Sequence, residues 1–133
     1  MPLRTTKKWF GVVLDAPDPS ALAHFYRDLL GWAIATDTPE WATLAPSDQE
    51  GYNLGFQREP NYVPPVWPSR PGMPLMMLHL DFEVDDLGEA VAHALAVGAS
   101  LSEHQPQDDV RVLFDPAGHP FCLYVDTSNG AGD

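Results

Sequence analysis

The stretch His79-Leu80-Asp81-Phe82-Glu83-Val84-Asp85-Asp86 repeats an earlier one, Gly11-Val12-Val13-Leu14-Asp15-Ala16-Pro17-Asp18, and the repetition decides the fold. In the later copy, alternation sends His79, Asp81 and Glu83 to one side and Leu80, Phe82 and Val84 to the other, the period of a strand. Set over each other, the copies align both helix starts, both amphipathic stripes and both terminal glycines with a slip of one residue. Hydrophobic period alone would allow any layered α+β arrangement; an internal repeat is the narrower statement.

Working outward, the first copy belongs to a strand over Trp9 to Ala16 that ends at Pro17. Asp18 is the expected N-cap of a helix and Pro19 its first residue. Leu22, Phe25, Tyr26 and Leu29 then recur at helical spacing on one core face, and Gly31 stops the helix. Three strands are expected next, at Trp32 to Thr36, Trp41 to Ala45 and Tyr52 to Arg58, separated by Asp37-Thr38-Pro39 and Pro46-Ser47-Asp48. The second copy opens with a strand over Met76 to Val84. Asp86 caps a helix with Glu89 as capping box, Leu87, Val91, Ala94 and Leu95 form its buried stripe, and Gly98 ends it. Strands at Ser100 to Glu103, Val110 to Phe114 and Phe121 to Val125 follow, the last two joined by the turn Asp115-Pro116-Ala117-Gly118.

Each copy therefore reads strand, helix, three strands. The expected fold class is α+β, two βαβββ repeats over about 8–58 and 76–126 within a single domain of 1–133, joined by a crossover over 59–75. Six prolines between Pro60 and Pro74 make that crossover a stiff extended segment that is neither helix nor central strand. Its Tyr62 and Trp67 either cover the rim of a ligand pocket or pack the linker onto the body. The small polar tail from Thr127 to Asp133 is expected to fray.

A chain of 133 residues with 44% hydrophobic content can build one ordinary core. Its formal charge of −12 repels nucleic acid and anionic membrane surfaces, so neither is expected as a partner. The single cysteine, Cys122, excludes an intramolecular disulfide and any multi-cysteine zinc site, which fits a cytoplasmic setting. Arg4, Lys7 and Lys8 precede an apolar run, Trp9 to Leu14, too short for a secretory core, and no stretch approaches the roughly 20 apolar residues of a membrane span.

Val12-Val13-Leu14-Asp15-Ala16-Pro17-Asp18-Pro19 followed by Phe25-Tyr26-Arg27-Asp28-Leu29-Leu30-Gly31-Trp32 resembles the first half of the vicinal oxygen chelate (glyoxalase/bleomycin-resistance/dioxygenase) superfamily. The stretch from His79 to Asp86 and the end Phe114-Asp115-Pro116-Ala117-Gly118-His119-Pro120-Phe121-Cys122-Leu123 resemble its second half. The resemblance spans nearly the whole chain and is greatest to the bacterial glyoxalase-like branch. It implies that the repeats form a curled mixed sheet, the vicinal oxygen chelate fold, and that a homodimer forms.

In metal-using members, ligands from the first and last strands of both halves converge on one divalent ion, which polarises neighbouring substrate oxygens. Carried over one position at a time, the first ligand falls on Gly11, which has no side chain. The second falls on Gly55, or on Gln57 if the register slips by two. The third falls on His79 and the fourth on Cys122, where a glutamate is usual. No metal ligand set and no cofactor is therefore expected, although a soft ion using His79 and Cys122 with outside ligands stays open.

The resemblance places a small organic molecule in a cleft between the repeats, with Val13, Asp15, Gly55, Gln57, Asp81, Cys122 and Tyr124 as ligand-binding positions and Trp67 reaching in from the crossover. His79, beside carboxylates, is the expected general acid or base of a metal-independent lyase or isomerase-type enzyme. The alternatives are a ligand-sequestering protein of the drug-binding, resistance type, without catalysis, and a metal-dependent lyase or dioxygenase using His79. Whether the chain is an enzyme stays open at this point. A Cys122–His79 nucleophile pair would need a thiolate at a position where cysteine is ordinarily an inert small hydrophobe. His24 and His93 are expected to be solvated on their helices, and His104 and His119 to be surface turn residues.

Overall fold

A computed structural model describes residues 1–127. All of the expected fraying tail except Thr127 lies outside those residues. The chain divides into two compact units, Met1–Tyr62 and Val63–Asp133.

The first unit carries β1 (Phe10–Ala16), α1 (Pro19–Leu30), β2 (Ala33–Asp37), β3 (Trp41–Ala45) and β4 (Tyr52–Arg58). Its sheet has the order β1-β4-β3-β2, with β1 parallel to β4 and the other pairs antiparallel. The expected helix signals act as read. The Asp18 carboxylate accepts the Ala21 N–H at 3.1 Å, and Gly31, at φ 75°, donates its N–H to the Arg27 carbonyl at 2.8 Å. Leu22, Ala23, Phe25 and Tyr26 are buried, and the Tyr26 ring stacks on Phe56 of β4 with centroids 5.5 Å apart. Each large apolar side chain so buried stabilises the fold by about 1.5–3 kcal/mol, which fixes α1 on its sheet.

The second unit repeats the pattern: β5 (Leu80–Glu83), α2 (Leu87–Ala96), β6 (Ser100–Leu101), β7 (Val110–Phe114) and β8 (Pro120–Tyr124). Its sheet order is β5-β8-β7-β6, with β5 parallel to β8. The same strand order in both units makes the fold α+β with two βαβββ repeats. Asp86 caps α2 by accepting the Glu89 N–H at 2.9 Å.

Strand bounds shift from expectation by one residue in β1, β2 and β8 and by more in β5 and β6, and one helix-stripe residue also differs. β5 begins at Leu80 and not at Met76, because Met77 adopts φ 61°, a left-handed conformation that breaks an extended run. β6 has two residues, because the Gln105 side chain takes over the next pairing positions: its amide donates to the carbonyls of Ser102 and Val112 and accepts the Val112 N–H, each at 2.9 Å. Leu95 is 43% exposed and does not join the α2 stripe. At about 100° per residue, Leu87, Val91 and Ala94 share a narrow stripe and Leu95 falls at its margin.

The crossover does not run extended throughout as expected: it turns back on itself through the Arg70–Met73 turn, where the Met73 N–H donates to the Arg70 carbonyl at 3.1 Å, so that the Val66 N–H reaches the Pro74 carbonyl at 2.9 Å. It lies against the β7–β8 turn: a Cβ on Gly118, at φ 96°, would stand 2.9 Å from the Pro64 side chain, so this turn requires glycine. Among the described residues, no helix is long and apolar enough to cross a membrane.

Candidate functional site

Strand register builds the site. In the second unit Asp81 of β5 pairs with Cys122 of β8, which pairs in turn with Val112 of β7, and the next row of the same face is Glu83, Tyr124 and Val110. A period of two places both rows on one side of the sheet. Immediately before β5, His79 adds its imidazole to that side, as the alternation predicts. A cavity of about 370 Å³ opens there, walled by Trp67, His79, Asp81, Cys122 and Tyr124. Val110 and Val112 line it too, and Gln107 enters from the β6–β7 loop.

His79 is held on two sides. Its Nε2 lies 3.0 Å from the Asp81 carboxylate, and its ring stacks on Trp67 with centroids 4.9 Å apart and planes 23° from parallel. His79 is 29% exposed at its side chain and Asp81 57%, so the pair stands at the mouth of the cavity. Trp67 therefore serves both readings given above: it packs the crossover onto the unit and lines the cavity.

Cys122 is 4% exposed. Burial, then the Asp81 charge and a hydrogen bond from the thiol to Asp81, push its pKa up to about 11. The thiol stays protonated at neutral pH, which rules against the Cys122–His79 nucleophile pair.

The corresponding face of the first unit is built differently. Val13 pairs with Gly55, which pairs with Thr43, and Asp15 pairs with Gln57, which pairs with Trp41. The Gln57 amide donates to the Asp15 carboxylate at 2.7 Å. Trp41 leans over the glycine, so that a Cβ on Gly55 would come within 2.6 Å of its ring. Val13, Asp15, Gly55 and Gln57 are thus brought together on one face, as His79, Asp81, Cys122 and Tyr124 are on theirs. The matching registers, Val13 with Gly55 and Asp81 with Cys122, preserve the slip of one residue between the repeats.

Three histidine expectations are corrected. His119 is not a surface turn residue: its side chain is 11% exposed, and Nδ1 lies 2.8 Å from the carboxylate of Asp115, whose side chain is fully buried. That carboxylate also accepts the backbone N–H groups of Ala117 and His119 at 2.9 and 3.0 Å, so the turn folds around it. The four-residue spacing of Asp115 and His119 across a Pro-Ala-Gly turn was the available signal. His104 is half-buried, its ring edge-on to Trp67 at 6.0 Å. His24 is also more engaged than expected, with Nδ1 2.6 Å from the Ser20 carbonyl and Nε2 3.6 Å from Asp37, while His93 is exposed. Sequence reasoning missed Gln107, Val110 and Val112 as cavity residues. Gln107 lies in a loop, which has no period to read, and the two valines read simply as strand core.

With this geometry in hand, the comparisons define a class. Residues 11–124 match the family model described as a glyoxalase-like domain, so the chain belongs to that family, within the vicinal oxygen chelate superfamily. Among solved structures, it is similar to a glyoxalase/bleomycin resistance protein/dioxygenase family enzyme from Burkholderia phytofirmans PsJN, with TM-score 0.65 and 19% identity over 86% of this chain and 95% of that one. A glyoxalase-related enzyme from Fulvimarina pelagi gives TM-score 0.62 and 20% identity, covering 87% of this chain and 86% of that one. The fosfomycin resistance protein FosX from Mesorhizobium loti gives 0.60 and 11%, covering 91% and 93%. No curated protein matches the sequence.

The divalent centre that the superfamily implies does not fit these residues. Two of its four positions are glycines with no side chain to offer, and Trp41 fills the space over Gly55.

Proposed function

We propose that the protein binds a small organic molecule in the cavity of its second repeat and that His79 exchanges a proton with it, in a metal-independent reaction of lyase or isomerase type. The observation that carries this reading is the imidazole held between the Trp67 face and the Asp81 carboxylate at the cavity mouth. Stacking and the carboxylate fix the ring's orientation for proton exchange with a guest. With Nε2–H donating to the Asp81 carboxylate, a neutral ring keeps Nδ1 as its acceptor. The apolar walls and the few polar groups, Asp81 and Gln107 among them, suit a guest with a flat or aliphatic body and a polar end, and about 370 Å³ is at the small end of ligand sites.

A library of small carbonyl and hydroxy compounds, screened by thermal shift in chelator and followed by a product assay, tests the reading. His79→Ala should lower turnover by about 100-fold or more while leaving guest affinity within a few-fold, and Trp67→Ala should weaken affinity about tenfold through lost stacking. Guests that bind equally well to the Trp67→Ala protein would place binding elsewhere and sink the proposal. Tight binding without turnover would instead favour the sequestering role.

A further inference from the structure

We propose that the guest of the second-repeat cavity is an organic cation, a small amine whose ammonium group is held by the Asp81 carboxylate at the mouth while its flat or aliphatic body lies inward. The proposal rests on the reading that a guest occupies this cavity, and it states what the polar end of that guest is. Charge is the first argument. Among the described residues, Asp81 is the only carboxylate lining the cavity, and no lysine or arginine lines it. Arg111 sits between the two valines of β7 that form part of the wall, so strand alternation sends it to the opposite face. There its guanidinium donates to the carbonyls of Gln107, Asp108 and Val110 at 3.2, 3.2 and 2.7 Å. Of the seven lysines and arginines of the chain, only Arg70 and Arg111 fall within Val63–Asp133, a unit that holds eleven of the nineteen aspartates and glutamates. Such a unit draws cations toward its surface and repels anions.

Hydrogen bonding is the second argument. An ionised carboxylate can accept about four hydrogen bonds. Asp81 accepts from His79 Nε2 and from the Cys122 thiol, both of which leave its negative charge uncompensated when the imidazole is neutral. Its remaining lone pairs are open to the mouth, where the side chain is 57% exposed. An ammonium brings three donors and no acceptor, and its hydrogen bonds to a carboxylate are about twice as strong as those of a neutral hydroxyl. A carboxylate or phosphate end would instead meet Asp81 as like charge, with only neutral donors such as the Gln107 amide beside it. Farther in, Cys122 and Val112 are 4% and 2% exposed and give the body of the amine a dry seat. The Trp67 and Tyr124 rings on the wall add attraction for a neighbouring positive charge.

Benzylammonium, benzyl alcohol and benzoate share one body and differ at the polar end, so titrating each into the full-length protein in chelator, read by protein NMR shifts, isolates the polar end. Benzylammonium should bind about tenfold more tightly than the alcohol or better, and benzoate more weakly than either. Asp81→Asn should bring benzylammonium to within about threefold of benzyl alcohol. Glu50→Gln removes the same charge from an exposed position of the first unit and should leave the native preference within about twofold, which separates the cavity from general attraction to an acidic protein. Equal affinities for ammonium and alcohol in the native protein would overturn the proposal. So would failure of benzylammonium to bind, benzoate binding as tightly as benzylammonium, or an ammonium preference that survives Asp81→Asn. The cavity reading fails separately: compounds that bind alike whatever their charge, yet lose affinity in the Trp67→Ala protein, would keep the cavity and reject the cation.

Discussion

At Cys122, the burial that makes the side chain part of the core also sets when its proton leaves. An unfolded thiol titrates near 9.0 and the folded one at about 11. Below about pH 9 both states hold the proton and the stabilisation is fully present. As the pH rises toward 11 the unfolded state releases its proton first, and stability is lost. The full loss is about 2–3 kcal/mol, at about 1.4 kcal/mol per pKa unit. Urea unfolding of native and Cys122→Ala protein in chelator should show their stability difference shrinking between pH 9 and 11; a constant difference would contradict the burial argument. Asp115 is the second residue whose surroundings decide its effect. Asp115→Ala strands the N–H groups of Ala117 and His119 inside the turn and should cost about 2–4 kcal/mol by denaturant unfolding. That His79 and Asp81 share a face was legible because strand alternation is a two-residue rule. It did not reveal the Asp115–His119 pair, because a tight turn gathers groups that no periodicity relates.

Among the elements, the strands that were legible to the residue, β3, β4 and β7, are bounded by Pro, Asp, Gly or polar turns that stop an extended run from either side. The misjudged ones, β5 and β6, were cut short by a left-handed Met77 and by the Gln105 side chain, neither of which leaves a mark in hydrophobic pattern. The two glycines facing ligand positions in the first unit also differ in a way that sequence conceals. Gly55→Ala drives a methyl into the rigid Trp41 ring and should destabilise by about 1–3 kcal/mol. Gly11→Ala meets chiefly the terminal oxygen of Asn53, which can rotate away, and should cost less than about 1 kcal/mol. Chemical denaturation of the two variants side by side checks the contrast, and equal costs would remove Trp41 as the reason for glycine at 55.

On the scale of the whole chain, the duplication was readable because cap, stripe and stop signals recur in the same order, and the identical strand orders bear it out. What the two copies do with the same sheet face was not readable, since that depends on whether an indole lies over it: Trp41 covers the face at Gly55, while the face at Cys122 keeps a cavity. A formal charge of −12 spread over 133 residues acts on the whole molecule, and self-repulsion opposes compaction. Raising the ionic strength from about 0.01 to about 0.15 M shortens the screening length from about 30 to about 8 Å and should raise the thermal midpoint; a fall would show that local ion pairs outweigh the net charge. The stacked rings of Trp67 and His79, finally, give the protein an optical gauge of its own. An imidazole in face contact dims indole emission, so an occupant that parts the rings should brighten the protein, and subtracting the spectrum of a Trp67→Phe variant removes the contribution of Trp9, Trp32 and Trp41.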